Sequence, residues 1–562
     1  KINPQFFGSY SNLGNAYHNL GKFKEAIENY EKAIQLNNKS PETFNNFGNL
    51  LRQLGNLNYS EKNLKAAILL NPNYAKAFSN LGNTYRVMGK LDKAINAYEK
   101  AININPKLSK TEAHLIFQKK NICDFSISDR ISKVSSTLGI KTNSIGPFSA
   151  LSWNDNPEEQ LLRSKNYIRE NFSNQDLLLN QKFNYKNKKI KIGYFSADFY
   201  DFPSMHVMIG LLEKHNKDLF EIFAFSFGPN NNDWMNKRIK LAVDHFIDVT
   251  HLSTREIIEM TRKLAIDIAI DENGFTFNAR TELFQNKLSP IQINFMGYPG
   301  TLGADFIDYI VADKIVIPEN FQKFYSEKII YLPNCFMPSD NLKLISNKKT
   351  KREDYNLPKD AFVLCCFNKT YKISSSEFDI WMRILKNVNK SVLWLLKSND
   401  IAMENLRIES KKRGVNPDRI IFADKIPIAE HLNRHKHADL FVDTFNYNAH
   451  VTTNDSLWAG LPVVTKEGSQ FSARVSSSLL YSIGLEELVA KTNEDYERII
   501  TELAFDPNKL LLIKEKLFKN RSSKPLFNTE LYAKNFESGL QEAYLRYTRG
   551  ETPKNINVIN NS

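Results

Sequence analysis

The chain has 562 residues, with 75 Lys and Arg against 62 Asp and Glu, a net charge of +13 and a pI near 9.2. That length calls for three or four domains, and the positive charge is spread through a Lys-, Asn- and Ile-rich chain without a dense basic block, so no nucleic-acid partner is expected. Cys123, Cys335, Cys365 and Cys366 show no CxxC or metal-ligand spacing, which excludes a disulfide framework and fits a reducing cytosol. No apolar run is long enough to span a membrane and no signal peptide is visible.

The chain opens on a 34-residue period. Gly14, Gly48 and Gly82 share one phase, Gly21, Gly55 and Gly89 a second, and Ala33, Ala67 and Ala101 a third, with Tyr17, Leu51 and Tyr85 between them. This is the tetratricopeptide signature, in which paired helices stack into a superhelix. The small residues are packing positions: the Gly14 series brings the two helices of a repeat together, and the Ala33 series brings neighbouring repeats together. Two asparagines also recur, Asn12, Asn46 and Asn80, and Asn15, Asn49 and Asn83. An amide offers a donor and an acceptor side by side, so a column of them matches the backbone of an extended peptide. The alternative is that one asparagine braces each repeat internally, and this alternative weighs more for the Asn15 series than for the Asn12 series. Asn71-Pro72 and Asn105-Pro106 close two repeats, Asn37-Asn38 holds the equivalent place, and Asn3-Pro4 stands one period earlier. The array is therefore expected to continue before Lys1.

Residues 1–106 are assigned to these repeats and 107–189 to helices and loops broken at Gly146-Pro147 and Asp155-Asn156-Pro157. From Ile190 the grammar changes. Short strands are expected at Ile190–Phe195, Ile222–Ser226 and Ile266–Ile270, and after Pro338 at Phe362–Phe367, Val392–Leu396, Arg419–Phe422, Leu440–Asp443 and Val463–Thr465, with helical patterns between them. This predicts two consecutive doubly wound lobes, 190–340 and 341–562, the second ending in a helix, with ligands at the carboxyl ends of the strands.

The most telling segment is DTFNYNAHVTTNDSLWAG, Asp443 to Gly460. A strand ends at Asp443 and a helix is expected to start near Thr452-Thr453, so that free N–H groups, hydroxyls and His450 form an anion site. Asp455 is placed in the first helical turn, where it could accept from a ribose diol; ordinary capping by Thr452 or Thr453 is the competing reading. Lys372, just past the strand Phe362–Phe367, faces the same cleft and can neutralise a diphosphate. In AEHLNRHKHADL, Arg434 could bond a base and His431 could stack or donate to phosphate, while His435 and His437 are read as a solvated helix face. There is no phosphate-binding glycine loop, no HExxH and no Asp-x-Asp pair.

Together these segments resemble the protein O-GlcNAc transferases: SADF at Ser196–Phe199, Asn273–Phe284, Pro290–Asp313 with GYPGT, Phe367–Ile373, Ser391–Leu396, His450–Gly460, Ser472–Val475 and Pro525–Thr529. The plant SPINDLY-type O-fucosyltransferases are a sister group with a GDP-sugar donor. The resemblance implies a GT-B fold of two Rossmann-like lobes behind a tetratricopeptide superhelix, and inverting, metal-independent transfer from UDP-GlcNAc to Ser or Thr of a polypeptide. No cofactor is implied beyond the nucleotide sugar. By motif position it implies that Lys372 contacts the diphosphate, that His450, Thr452 and Thr453 form the phosphate-binding helix start, and that Asp455 binds ribose. It places His431 and Arg434 on the nucleoside side, Met296 and Gly297 beside the sugar, and Asn12, Asn46 and Asn80 in a ladder holding acceptor peptide. Phe202 stands where the animal enzymes carry a histidine, Val451 replaces a threonine and Ile428 a lysine. The general base is accordingly open among His206, Asp201, Asp271, solvent and a donor phosphate oxygen, with His206 taken as the catalytic candidate. A relative using GDP-fucose or UDP-glucose, and a non-catalytic repeat scaffold, remain the alternatives. Composition and plain motifs suggest a bacterial, cytoplasmic protein.

Overall fold

The structure is a computed structural model that describes residues 6–172, 183 and 187–560. Asn3-Pro4 and parts of the 107–189 stretch lie outside the described residues. The chain forms two compact units, one holding the residues up to Ile127 with Lys141–Ile145, the other Ser128–Ile140 and Gly146 onward.

The first unit is helical: α1 (Phe7–Asn19), α2 (Phe23–Leu36), α3 (Pro41–Gln53), α4 (Leu57–Leu70), α5 (Ala75–Val87), α6 (Leu91–Ile104) and α7 (Ser109–Asn121). Each pair turns on a left-handed glycine, Gly21, Gly55 and Gly89, at φ of 72°, 78° and 74°, a conformation that costs glycine little. The pairs close on the second glycine series. A Cβ on Gly14 would lie 2.8 Å from the Tyr30 ring, on Gly48 2.7 Å from Leu64, and on Gly82 2.5 Å from Tyr98. Ala33, Ala67 and Ala101 are fully buried. The expected three repeats are thus present, and α7 packs on α6 as a further helix of the array beyond residue 106.

The second unit holds two parallel sheets. The strands are β1 (Ile190–Ser196), β2 (Phe220–Ser226), β3 (His245–Asp248), β4 (Ile268–Asp271), β5 (Ile291–Asn294), β6 (Tyr309–Ala312), β7 (Lys328–Tyr331), β8 (Phe362–Cys366), β9 (Ser391–Leu396), β10 (Ile420–Ala423), β11 (Leu440–Val442), β12 (Val463–Lys466), β13 (Val489–Ala490) and β14 (Ile556–Asn557). The first sheet runs β14-β7-β6-β5-β4-β1-β2-β3 and the second β10-β9-β8-β11-β12-β13. The inner strands of both sheets are short, mainly apolar runs buried on both faces, as parallel sheets require, whereas the edge strand β3 is partly exposed.

The lobe boundary differs from the sequence reading at one point. The last helix, Thr529–Thr548, leaves the second lobe: Tyr532, Phe536 and Leu540 join the core of Ile192, Ile268 and Ile293. β14 then pairs with β7. Residues beyond about Asn528 therefore complete the first lobe, because the apolar stripe of that helix finds its partner on the first sheet.

Candidate active site

Each sheet reverses its strand order once, and a doubly wound sheet opens a crevice at that point, at the carboxyl ends of the strands. In the second sheet the reversal lies between β8 and β11. Asn368 and Lys372 follow β8, and Asp443 and Thr444 follow β11. Asp443, fully buried, organises the junction: Oδ1 accepts from the N–H groups of Thr444 and Ala449, both at 2.8 Å, and Oδ2 from Thr465 Oγ1 at 2.8 Å. Asn368 Nδ2 donates to Asp443 Oδ1 at 3.2 Å and to Thr444 Oγ1 at 2.8 Å.

Lys372 sits over this scaffold. Its Nζ donates to the Asn448 carbonyl at 2.7 Å and stands 3.8 Å from the centre of the Tyr447 ring. Burial lowers its pKa from 10.5 to about 7, against the pull of Asp443 and Cys366. Among the described residues this cation has no ion pair, so it gains strongly from an incoming phosphate.

The adjoining helix spans His450–Trp458, beginning two residues earlier than expected. Thr452 and Thr453 therefore do not cap it, and no side chain does; Asp443 instead fixes the chain just before the helix through the Ala449 N–H. The first N–H groups, those of His450, Val451 and Thr452, lie at a helix start that makes no internal bonds to them. His450 Nε2 meets the Ser472 carbonyl at 3.0 Å, and burial, with the charge of Lys372, holds its pKa well below the usual value. The ring is neutral, with Nε2–H donating and Nδ1 open. The two threonines part company. Thr452 is half-exposed, whereas Thr453 is fully buried with its hydroxyl 2.7 Å from Ser476 Oγ. The structure thus gives Thr453 a packing role in place of the expected donor contact.

Asp455 falls in the second helical turn, not the first, and is not solitary: Lys343 Nζ lies 2.7 Å from its Oδ1 and 2.8 Å from Asn454 Oδ1. Nothing in the sequence around Lys343 pointed to this pairing, because it depends on the segment between the lobes folding back.

On the other side of β8, Arg434 is buried, donates to the Asp424 carbonyl at 2.6 Å and lies 4.7 Å from the Phe367 ring centre. Its Nε is buried without a partner. His431 is half-exposed with its ring edge against Phe367 at 5.2 Å, and burial followed by the charge of its neighbours keeps it neutral. His435 and His437 correct the sequence reading. Both are buried; His435 Nδ1 donates to the His431 carbonyl at 2.7 Å and His437 Nε2 is 2.8 Å from Thr350 Oγ1. The segment lies against the sheet, so both imidazoles point inward.

The first sheet reverses between β1 and β4, and here lies a carboxyl cluster that the sequence reading largely passed over. Asp198 follows β1, and Asp271, Glu272 and Asn273 end β4. Asp271 is occupied: it accepts from the N–H groups of Asn273 at 3.0 Å and Gly274 at 2.8 Å and from Thr281 Oγ1 at 3.0 Å. It shapes the turn and leaves the list of bases. Asn273 Nδ2 donates to Asp198 Oδ2 at 2.8 Å. Burial raises Asp198 to about 6. Glu272 is buried with neither carboxyl oxygen hydrogen-bonded; burial, and then the charge of Asp198, raise it to about 8. At neutral pH Glu272 is therefore a carboxylic acid beside a carboxylate. Their position directly after two central strands was the signal available in the sequence.

Met296 and Gly297 pack on this turn. Met296 has φ 71°, in the left-handed region, where a non-glycine residue is strained. A Cβ on Gly297 would lie 2.0 Å from the Glu272 carbonyl oxygen, so only glycine fits. His206 Nε2 is 2.6 Å from Asp201 Oδ1, with its ring stacked on Trp234 at 6.0 Å. Phe202 is partly exposed nearby in sequence and bears no proton-accepting group.

In the helical unit, the Asn15 series braces the repeats. Asn15 Oδ1 accepts from Tyr30 at 2.6 Å and Asn83 Oδ1 from Tyr98 at 2.9 Å. Leu64 stands in place of the tyrosine in the middle repeat, and there Asn49 Oδ1 takes Arg52 Nη2 at 2.9 Å. The Asn12 series lies on the half-exposed face of the first helices. Asn12 is exposed; Asn46 Nδ2 donates to Asn15 Oδ1 at 3.0 Å, and Asn80 Nδ2 to Asn45 Oδ1 at 2.9 Å. The amides thus form a lateral chain along the repeats.

Comparison with known proteins decides the family. The model for Glycosyl transferase family 41 matches residues 170–351 and 344–536. The chain belongs to that family. Models for the tetratricopeptide repeat match 14–55, 41–74 and 75–108. Among similar family 41 proteins, the probable UDP-N-acetylglucosamine–peptide N-acetylglucosaminyltransferase SEC of Arabidopsis thaliana is 36% identical over 380 residues, covering 66% of this chain and 39% of that protein. The UDP-N-acetylglucosamine–peptide N-acetylglucosaminyltransferase of Caenorhabditis elegans is 27% identical over 482 residues, covering 66% and 42%. The chain spans about two fifths of the length of these relatives. A solved Thermobaculum terrenum O-GlcNAc transferase mutant shares the fold at a TM-score of 0.69, with 22% identity and 97% of both chains covered. The two parallel sheets fit the two Rossmann-like lobes of the family 41 architecture, and among the described residues no helix is long and apolar enough to cross a membrane.

Proposed function

We propose that this chain transfers N-acetylglucosamine from UDP-GlcNAc to Ser or Thr hydroxyls of a polypeptide, with inversion and without a metal. The observation that bears most weight is Lys372 at the reversal point of the second sheet, buried and, among the described residues, without a carboxylate in ion-pair contact, beside the open N–H groups of the helix His450–Trp458. The two relatives quoted are both named for UDP-N-acetylglucosamine and a peptide acceptor. In the proposed step the acceptor oxygen forms a bond to the anomeric carbon as the sugar–phosphate C–O bond breaks. The electron pair leaves on the β-phosphate of UDP, and Lys372 and the helix start stabilise the charge where it develops. Asp455 with Lys343 faces the ribose, His431 and Phe367 the base, and Met296 and Gly297 the sugar.

The acceptor proton has two destinations in reach of this reading. His206 is held through Nε2 by Asp201, which leaves Nδ1 as acceptor. Asp198 is the second, favoured by its raised proton affinity. Radiolabelled GlcNAc incorporated into a protein mixture tests the whole reading. Lys372→Met should abolish incorporation, and wild-type incorporation by that variant would remove the lysine from the mechanism. His206→Asn and Asp198→Asn then compare the two bases: the true one lowers kcat by about 10²–10⁴. Stabilisation by GDP but not UDP would move the donor to GDP-fucose.

A further inference from the structure

The repeat period orders a third series that the reaction does not use. His18, Arg52 and Arg86 stand 34 residues apart, three residues past Asn15, Asn49 and Asn83 and so beside them on the same helix face. Lys120 is next in register but buried. Residues 1–127 hold 17 Lys and Arg against nine Asp and Glu, a net of +8 out of the chain's +13.

Two of these cations are unusual. Among the described residues, neither Arg52 nor Arg86 has an ion-pair partner. Arg52 donates to Asn49 Oδ1 at 2.9 Å, and Nε of each arginine is buried without a hydrogen bond. The two guanidinium charges are close enough to disfavour one another. They also act, with Lys110, on His114, whose pKa burial and these charges push down to about 4 and whose Nδ1 is likewise buried and unpartnered. The His114 ring lies 5.8 Å from Tyr98. Like charges gathered on one half-buried face, with donors left unmet, are relieved by an anion. A guanidinium matches a carboxylate with two parallel hydrogen bonds.

We infer that the face formed by α3, α5 and α7 binds an extended, acidic polypeptide segment, with Arg52 and Arg86 taking side-chain carboxylates while the asparagines beside them take its backbone. Packed helices stand about 8–10 Å apart, and a chain in the extended polyproline II form rises about 3.1 Å per residue with every third side chain on one face, so the carboxylates fall three residues apart. Polypeptide is favoured over nucleic acid because Asn49 and Asn83, whose amides match the polar groups of a peptide backbone, stand one turn from Arg52 and Arg86 on the same helices. The inference rests on the reading of this chain as an enzyme of polypeptides and names the class of segment it would hold.

The test is fluorescence anisotropy with the full chain at about 50 mM salt, where exposed charges are weakly screened. The probes are labelled extended peptides of about twelve residues with Asp, Asn or Lys at every third position, and a labelled single-stranded oligonucleotide. The Asp peptide should bind at least about fivefold more tightly than the Asn peptide, on the order of one ordinary net hydrogen bond and so a lower bound for a charge-assisted one. Arg52→Gln with Arg86→Gln should erase that preference, and Arg52→Lys with Arg86→Lys should retain part of it. Should the double Gln variant not fold, each single Gln variant should lose part of the preference. A preference below fivefold, a preference that survives in the folded double Gln variant, or an oligonucleotide bound more tightly than the Asp peptide would overturn the inference. Sugar transfer is scored separately, so a chain that binds acidic peptide through the arginines yet transfers no GlcNAc would defeat the enzymatic reading and leave this one standing.

Discussion

Lys343 Nζ lies 2.7 Å from Asp455 Oδ1, with the two side chains only 5% and 7% exposed. A residue from the segment between the lobes thus reaches into the second lobe and pairs with the carboxylate assigned to ribose. Any nucleotide arriving here meets an ion pair. Removing one member of a buried pair leaves the other uncompensated, typically at a cost of about 3–5 kcal/mol. Lys343→Met should therefore lower stability by about 3 kcal/mol in urea unfolding followed by tryptophan fluorescence. Lys343→Met with Asp455→Asn should lose less than the two single changes added together. Strict additivity would mean that the contact contributes nothing.

Lys372 couples ligand binding to protons. Its folded pKa, about 7, lies below 10.5, so between these values the unfolded chain binds the extra proton and stability rises with pH. A diphosphate prefers the protonated lysine. UDP affinity should be highest below pH 7 and fall above it, approaching tenfold per pH unit. Calorimetry at pH 8 in two buffers of different ionisation enthalpy should reveal proton uptake on binding UDP, and Lys372→Met should remove it. Equal heats in both buffers for the wild type would contradict the assignment.

Glu272 gives the opposite slope. A carboxyl whose folded pKa is raised from 4.5 to about 8 holds its proton in the folded state over that window, so stability falls as pH rises through it. Glu272→Gln imitates the neutral acid. The variant should match the wild type near pH 5 and exceed it by a few kcal/mol at pH 8.5. Thermal unfolding across that range checks the prediction, and a variant that tracks the wild type throughout would place the carboxyl in water.

The tyrosine–asparagine braces of the repeats should be worth what an intramolecular hydrogen bond usually is. Tyr98→Phe removes the bond to Asn83 Oδ1 and leaves a half-buried amide, at about 1 kcal/mol. Gly82→Ala drives a Cβ to 2.5 Å from the same ring and should cost more, about 1–3 kcal/mol. Thermal unfolding monitored by helical circular dichroism should order the variants this way.

The repeat unit was legible because its determinants are local and periodic. Glycine phases at Gly14 and Gly21 state where two helices touch and where the chain turns, and a period of 34 residues repeats the statement. The eight strands expected from apolar runs are all present for the same reason: a strand buried on both faces must be apolar throughout. Of the remaining strands, β3 with exposed His245 and the two-residue β13 and β14 lack that mark, whereas β6 is apolar and buried throughout and yet was not among the strands expected. Lys372 and His450 could be placed from the chain alone because each stands just after a strand or at a helix start.

What the sequence could not state was who faces whom. His435 and His437 read as surface because polar spacing does not reveal a helix pressed against a sheet. Thr452 and Thr453 are identical in type, yet one hydroxyl stays open and the other bonds Ser476, a choice made by the rotation of the helix on β12. The Lys343–Asp455 pair spans 112 residues, and β14 returns 226 residues to β7. The Asp198–Glu272 pair exists only because β1 and β4 lie side by side. Composition and period determined the elements and their order, since those follow from local sterics and apolar patterning. Tertiary packing decided the charges, since the state of a buried carboxyl, lysine or histidine depends on burial and on neighbours that the linear sequence keeps far apart.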